Sequence, residues 1–170
     1  MNIRVLVTNG HRGTLVAGAE IFPCALGPAG IQLQKREGDG VTPAGRFQLR
    51  AIWYRADRIA RPDTALPINV ITPDDGWCDA PKDDNYNRPV KLPYRASAEA
   101  LWRDDHVYDL VVILGHNDDP VIPHKGSAIF LHIANPDFRP TEGCVAIQGD
   151  ALNKLVAVLD ANSCLEIMAT

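Results

Sequence analysis

His132 and Cys144 are the two residues of this chain whose types and spacing suit covalent chemistry. Cys144 closes the stretch Thr141-Glu142-Gly143-Cys144, and His132 sits inside the apolar run Ala128 to Ile133. A thiol is a weak nucleophile until it becomes a thiolate, and a neighbouring imidazole can take its proton. Gly143 leaves the backbone free to adopt unusual dihedrals just before the nucleophile. The amides of Gly143 and Cys144 would then face the oxygen of a reacting carbonyl, as an oxyanion hole requires. An arbitrary Cys/His pair is more often a buried cysteine beside a core histidine, since cysteine is among the most buried residue types. Spacing alone leaves both readings open.

Other side chains could complete a ligand site. Trp77, Tyr86 and Arg88 mix aromatic and polar groups in loop-rich sequence without periodicity. Such aromatics either line a pocket or cover a core edge. His116 and Asn117 follow the most apolar run, and would border the cleft if that strand neighbours the one carrying His132. Thr141 opens the turn that leads to Cys144. Arg55, Arg58 and Arg61 read as a solvated face, or more sharply as a recognition element for a peptide carboxylate. His116, His124 and His132 match no metal-ligand spacing, so neither a metal nor another cofactor is expected.

Two motifs go further. Thr141-x-Gly143-Cys144, preceded by a strand-borne His132, resembles the Ser/Thr-x-Gly-Cys signature of the L,D-transpeptidase catalytic domain, the YkuD-like family. Upstream, Gly38 to Phe47 (GDGVTPAGRF) is similar to the family's Gly-Asp-x-x-Thr-Pro-x-Gly-x-Phe/Tyr segment. On its own this segment is a loop held by proline and glycine before a strand. The family gives it the same structural job, so no catalytic role is assigned to Asp39 or Thr42. The chain departs from the family in having Glu142 where many members have a second histidine and Ala146 where many have arginine. Ile133 stands where a glycine commonly follows the base, and the His-to-Cys spacing is short. These departures mark a divergent subgroup.

The resemblance implies a β-sandwich-like domain with Cys144 as nucleophile and His132 as base. It implies a thioester intermediate, peptidoglycan stem peptides as donor and acceptor, a crosslink as product, and reaction with carbapenem-type inhibitors. It also implies the periplasm or cell envelope of a bacterium. With water as acceptor, the same pair would make an L,D-carboxypeptidase or crosslink hydrolase. Without chemistry, the domain would be a peptidoglycan-binding module.

A chain of 170 residues suits a single domain, residues 1–170, with a proper core. A net charge of −4 gives no electrostatic case for nucleic acid. No apolar run reaches the length of a membrane span. The start, MNIRVLVTNGHRG, does not read as a signal peptide, because its apolar run from Val5 to Val7 is too short. The cysteines are Cys24, Cys78, Cys144 and Cys164. A free Cys144 leaves at most one disulfide among the other three.

Strands must position the site. Alternation and β-branched content predict strands over Ile3 to Thr8, Thr14 to Phe22, Ile31 to Gln34 and Arg46 to Arg55. Further strands are predicted over Tyr108 to Leu114 and Cys164 to Met168. Asn9-Gly10 predicts a turn. Ser97 to Asp105 is read as a short helix capped by Ser97. Ala151 to Asp160 is read as a second, capped by Asp150, with Leu152, Leu155, Val156 and Leu159 on one face. The expected class is mainly β with one or two short helices.

Overall fold

The computed structural model describes residues 1–169. Asn2–Asn9 (β1) and Arg12–Ala17 (β2) turn Ile3, Val5, Leu15 and Ala17 inward, the period-two pattern of a half-buried strand. They pair antiparallel, joined through Gly10 at a φ of 57°. The single strand expected over Thr14 to Phe22 is two. Gly18, at a φ of 62°, turns the chain, and Glu20–Ala25 (β3) returns with Glu20 opposite Ala17. A two-residue hairpin needs positive φ, which glycine adopts freely.

Ile31–Gln32 (β4) and Thr42–Pro43 (β5) make a short parallel pair. Gly45–Tyr54 (β6) is the longest strand, and Ile68–Val70 (β7) pairs parallel beside it. Asp75–Cys78 (β8), Pro89–Lys91 (β9) and Ala98–Ala100 (β10) form a separate small sheet in the order β10-β8-β9. The helix expected over Ser97 to Asp105 does not form. Ala98, Glu99 and Ala100 pair with Cys78, Trp77 and Gly76 instead, and Leu101 is buried just beyond them. So short a helix has little stability of its own, and the pairing with β8 wins.

Leu110–Leu114 (β11), Phe130–Ile133 (β12), Val145–Ile147 (β13), Gly149–Val156 (α1) and Cys164–Met168 (β14) complete the chain. The large sheet runs β11-β12-β13-β3-β2-β1-β14-β6-β7, and β11 also pairs with β6. Eight strands therefore close on themselves around a core that includes Ile3, Leu15, Leu49, Val112, Leu131 and Val145. The fold is mainly β with a single short helix, whose Leu152, Leu155 and Val156 join this core. Asp150 does not cap that helix. It lies in the first turn, while Gln148 holds the cap position without a side-chain cap bond.

The opposite faces of β11 and β12 are buried too. Val111, Ile113 and Phe130 pack there in a second apolar cluster with Trp77, Tyr108 and Cys144. A strand covered on both faces reads as a continuous apolar run, which accounts for the sequence LVVIL.

The GDGVTPAGRF segment packs its backbone onto the turn before Cys144. The Gly27 amide donates to the Thr42 hydroxyl at 2.8 Å, and the Ala29 amide donates to the Gly40 carbonyl at 3.1 Å. Asp39 accepts from the amides of Arg36 (2.6 Å) and Val41 (2.9 Å) and pairs with Lys35. A Cβ on Gly27 would lie 2.1 Å from the Gly40 carbonyl oxygen, and a Cβ on Gly143 would lie 2.6 Å from that of Val41. Three segments thus meet at backbone contact. Thr42 ties the GDGVTPAGRF segment to Gly27, the Thr141 amide ties the turn before Cys144 to the Leu26 carbonyl, and Asp39 closes its own loop on itself. Thr42→Val leaves the buried Gly27 amide without an acceptor, so stability should fall by about 1–3 kcal/mol. Urea unfolding checks this; an unchanged midpoint contradicts it.

Candidate active site

β12 and β13 run parallel with His132 opposite Ala146 and Leu131 opposite Val145. Side chains alternate along a strand, so Phe130 and His132 share a face with Ala146 and with Cys144, two positions before it. Strands about 4.8 Å apart, offset by two residues, put the Cα atoms of His132 and Cys144 roughly 8 Å apart. Both side chains line one cleft of about 740 Å³.

The resting thiol is held by the backbone. Its S–H donates to the Ala128 carbonyl at 3.2 Å, and the Phe130 amide donates to Sγ at 3.3 Å. Ala128 takes a φ of 52°, in the left-handed region. That conformation costs a residue with a Cβ about 1–2 kcal/mol. Burial, with the Glu99 carboxylate as a second cause, pushes the Cys144 thiol up to about 12. Cys144 is therefore protonated at neutral pH.

His132 is oriented by its own strand. Its Nδ1 lies 2.9 Å from the Ile133 carbonyl oxygen. A carbonyl only accepts, so Nδ1 carries the hydrogen and Nε2 keeps the lone pair. Burial drives the imidazole down to about 4, against the opposing pull of the Ile133 carbonyl. At neutral pH the pair is an uncharged thiol and an uncharged base.

Of the other residues read from sequence, Thr141 lines the cleft. Its hydroxyl donates to the Cys144 carbonyl at 2.7 Å and accepts from the Gly143 amide at 3.2 Å. Trp77, Tyr86, Arg88, His116 and Asn117 are not brought to the cleft wall. Trp77 is a core residue, with its indole N–H on Asn87 and its ring edge-on to Phe130. Tyr86 is buried, and its hydroxyl joins Glu37 to the Gly126 amide. Arg88 is exposed and reaches the Asp118 carbonyl. Asn117 closes its own loop on Ile122 and Gly126, while His116 pairs with the Lys125 carbonyl and packs on Phe47.

The solvated-arginine reading needs correction. Arg55 is 2% exposed, chelates Asp57 through two 2.8 Å bonds and lies 3.3 Å over the Trp102 ring. Arg58 pairs with Asp109 at 2.7 Å, and Arg61 alone of the three is exposed. All four cysteines are buried and free.

Some cleft residues had no signal in sequence. Tyr108 stands edge-on to His132 with ring centroids 5.2 Å apart, and its hydroxyl donates to Glu99 at 2.6 Å. Arg103 reaches over the Tyr108 ring and is chelated by Asp105 at 2.6 and 2.9 Å. Glu37, Asp79, Glu142 and Arg139 also line the cleft.

Residues 3–167, nearly the whole chain, match the YkuD family, the L,D-transpeptidase catalytic domain. The chain belongs to that family. Comparison with curated proteins and with solved structures finds no match. No helix among the described residues is long and apolar enough to cross a membrane.

An uncharged pair has a distinct pH signature. Iodoacetamide should alkylate Cys144 slowly at pH 7 and faster with each unit of pH above it, with no plateau below pH 9. A mass-spectrometric rate series checks this; a fast, flat rate between pH 5 and 8 would mean a preformed thiolate.

Proposed function

We propose that the protein is an L,D-transpeptidase that crosslinks peptidoglycan stem peptides through a thioester on Cys144. One observation carries the reading: an imidazole on β12 and a thiol just before the adjacent β13 line one cleft. The family match supports the reaction class.

In the first half-reaction Cys144 Sγ turns from the Ala128 carbonyl to a donor peptide carbonyl. His132 Nε2 takes the thiol proton as the S–C bond forms, so charge develops only with substrate in place. The Cys144 amide meets the oxyanion, joined by the Gly143 amide as it leaves Thr141. The imidazolium then gives its proton to the leaving amine, a D-amino acid departs, and the thioester remains. In the second half-reaction an amine of a neighbouring stem attacks the thioester, with His132 again as base. Its product is a crosslink, which assigns the work to the cell envelope. Carbapenems would acylate the same sulfur.

Incubating the wild-type protein with purified muropeptides should yield dimers, read by liquid chromatography and mass spectrometry. Cys144→Ala should yield none, and His132→Ala should lower the rate about 10²- to 10⁴-fold. Trimmed monomers alone would replace the crosslinking reading with hydrolysis. Sacculus binding without any product would leave a binding module. Dimers formed by Cys144→Ala would overturn the mechanism.

A further inference from the structure

The cleft wall beside Cys144 carries an excess of negative charge. Glu37, Asp79, Glu99, Asp105 and Glu142 line it, against Arg103 and Arg139. Both guanidinium groups have aspartate partners, Arg103 with Asp105 at 2.6 Å and Arg139 with Asp137 at 3.4 Å. Glu37 is held by the hydroxyls of Tyr86 and Ser127. Asp79 and Glu142 have no cation within ion-pair distance among the described residues, and Asp79 Oδ1 is buried with no hydrogen-bond partner.

Glu99 differs from the rest of this wall. Its Oε1 accepts the Tyr108 hydroxyl at 2.6 Å, and the same tyrosine stands edge-on to His132. The already paired Arg103 comes only to 3.8 Å from Oε1. Oε2 accepts no hydrogen bond from any described residue, and the side chain is 28% exposed in the cleft. One carboxylate oxygen is thus fixed in direction by the residue that braces the base, and the other is free. No three His, Cys, Asp or Glu side chains among the described residues gather as a metal site. The free oxygen of this cleft-lining carboxylate suits a hydrogen-bonding cation.

Acyl transfer to an amine is helped by such a group. A primary amine reaches the site at neutral pH as an ammonium, and it must lose two protons to become an amide nitrogen. His132 can hold one of them at a time. We propose that Glu99 binds the acceptor ammonium and takes its first proton, which makes a primary amine rather than water the productive acceptor. The inference rests on the thioester reading above.

The step balances. The ammonium gives a proton to Glu99 Oε2, and the freed lone pair attacks the thioester carbonyl, forming the C–N bond. His132 Nε2 takes the second N–H proton. The C–S bond breaks, and the sulfur recovers that proton from the imidazolium. The Glu99 carboxyl then releases its proton to solvent. Burial raises the Glu99 carboxyl above its ordinary range, with Glu142 and Asp79 adding to the rise and Tyr108 and Arg103 opposing it. A raised carboxyl is the better base for an ammonium. A departing D-amino acid carries a carboxylate, which the same wall repels.

The test is how the acyl-enzyme partitions. Cys144 is acylated with donor muropeptide, and aminolysis by a primary diamine is measured against hydrolysis by mass spectrometry. Glu99→Gln should lower the aminolysis-to-hydrolysis ratio about 10²-fold, and Glu99→Asp should recover part of it. In the wild type, raising salt from about 0.05 M to about 0.5 M should lower the same ratio severalfold by screening the ammonium from the wall. If Glu99→Gln does not fold, the salt series decides. A ratio unchanged in folded Glu99→Gln, or unmoved by salt in the wild type, overturns the role of Glu99. Failure of the wild type to acylate at all overturns the thioester reading instead.

Discussion

A thiol and an imidazole buried in one cleft, each uncharged, form the constraint on which the rest of the site depends. Taking either charge out of water is expensive, so burial drives both groups towards neutrality. Cys144 is pushed up to about 12 and His132 down to about 4. A resting ion pair is thereby disfavoured, so in the proposed reaction the thiolate is made only when substrate arrives. The backbone already holds the two groups ready. The Ala128 carbonyl and Phe130 amide hold the sulfur, and the Ile133 carbonyl fixes which imidazole nitrogen keeps its lone pair.

The scaffold exists to keep that arrangement still. β11 and β12 are buried on both faces, so the strand carrying His132 has little freedom to slide. The parallel register of β12 and β13 fixes the diagonal from imidazole to thiol. Behind Cys144, Gly27 and Gly143 let backbone pack on backbone, with Thr42 supplying a polar link between segments and Asp39 holding its own loop. Sites built on strands and braced by hydrogen bonds hold their geometry better than sites built on loops alone.

Sequence singled out Cys144 and His132 as a candidate pair because a thiol after a glycine turn and a strand-borne imidazole match a family motif, and the fold brings both to one cleft. It could not name the group orienting His132, because every residue carries a carbonyl and the one used belongs to Ile133. Tyr108 and Glu99 left no trace either. They come from a loop and from a short strand, and they meet the site only through tertiary packing. The aromatic residues that looked free to line a pocket had other work: the indole N–H of Trp77 and the hydroxyl of Tyr86 both found buried partners. Arg55 looked solvated by composition and is sheltered under Trp102, because its charge is chelated by Asp57. The strand pattern was readable where apolar residues alternate. It misled at Gly18, where a two-residue turn hides inside an apolar run, and at Ser97 to Asp105, where pairing overrode a weak helix.

The measurement closest to the heart of this account is a pH series of long-range nitrogen–proton NMR spectra on protein labelled at histidine. His132 should appear as the Nδ1–H tautomer, with an unprotonated Nε2, and should stay neutral down to about pH 4. An imidazolium signal for His132 at pH 7, or the opposite tautomer, would contradict the uncharged pair from which the mechanism is built.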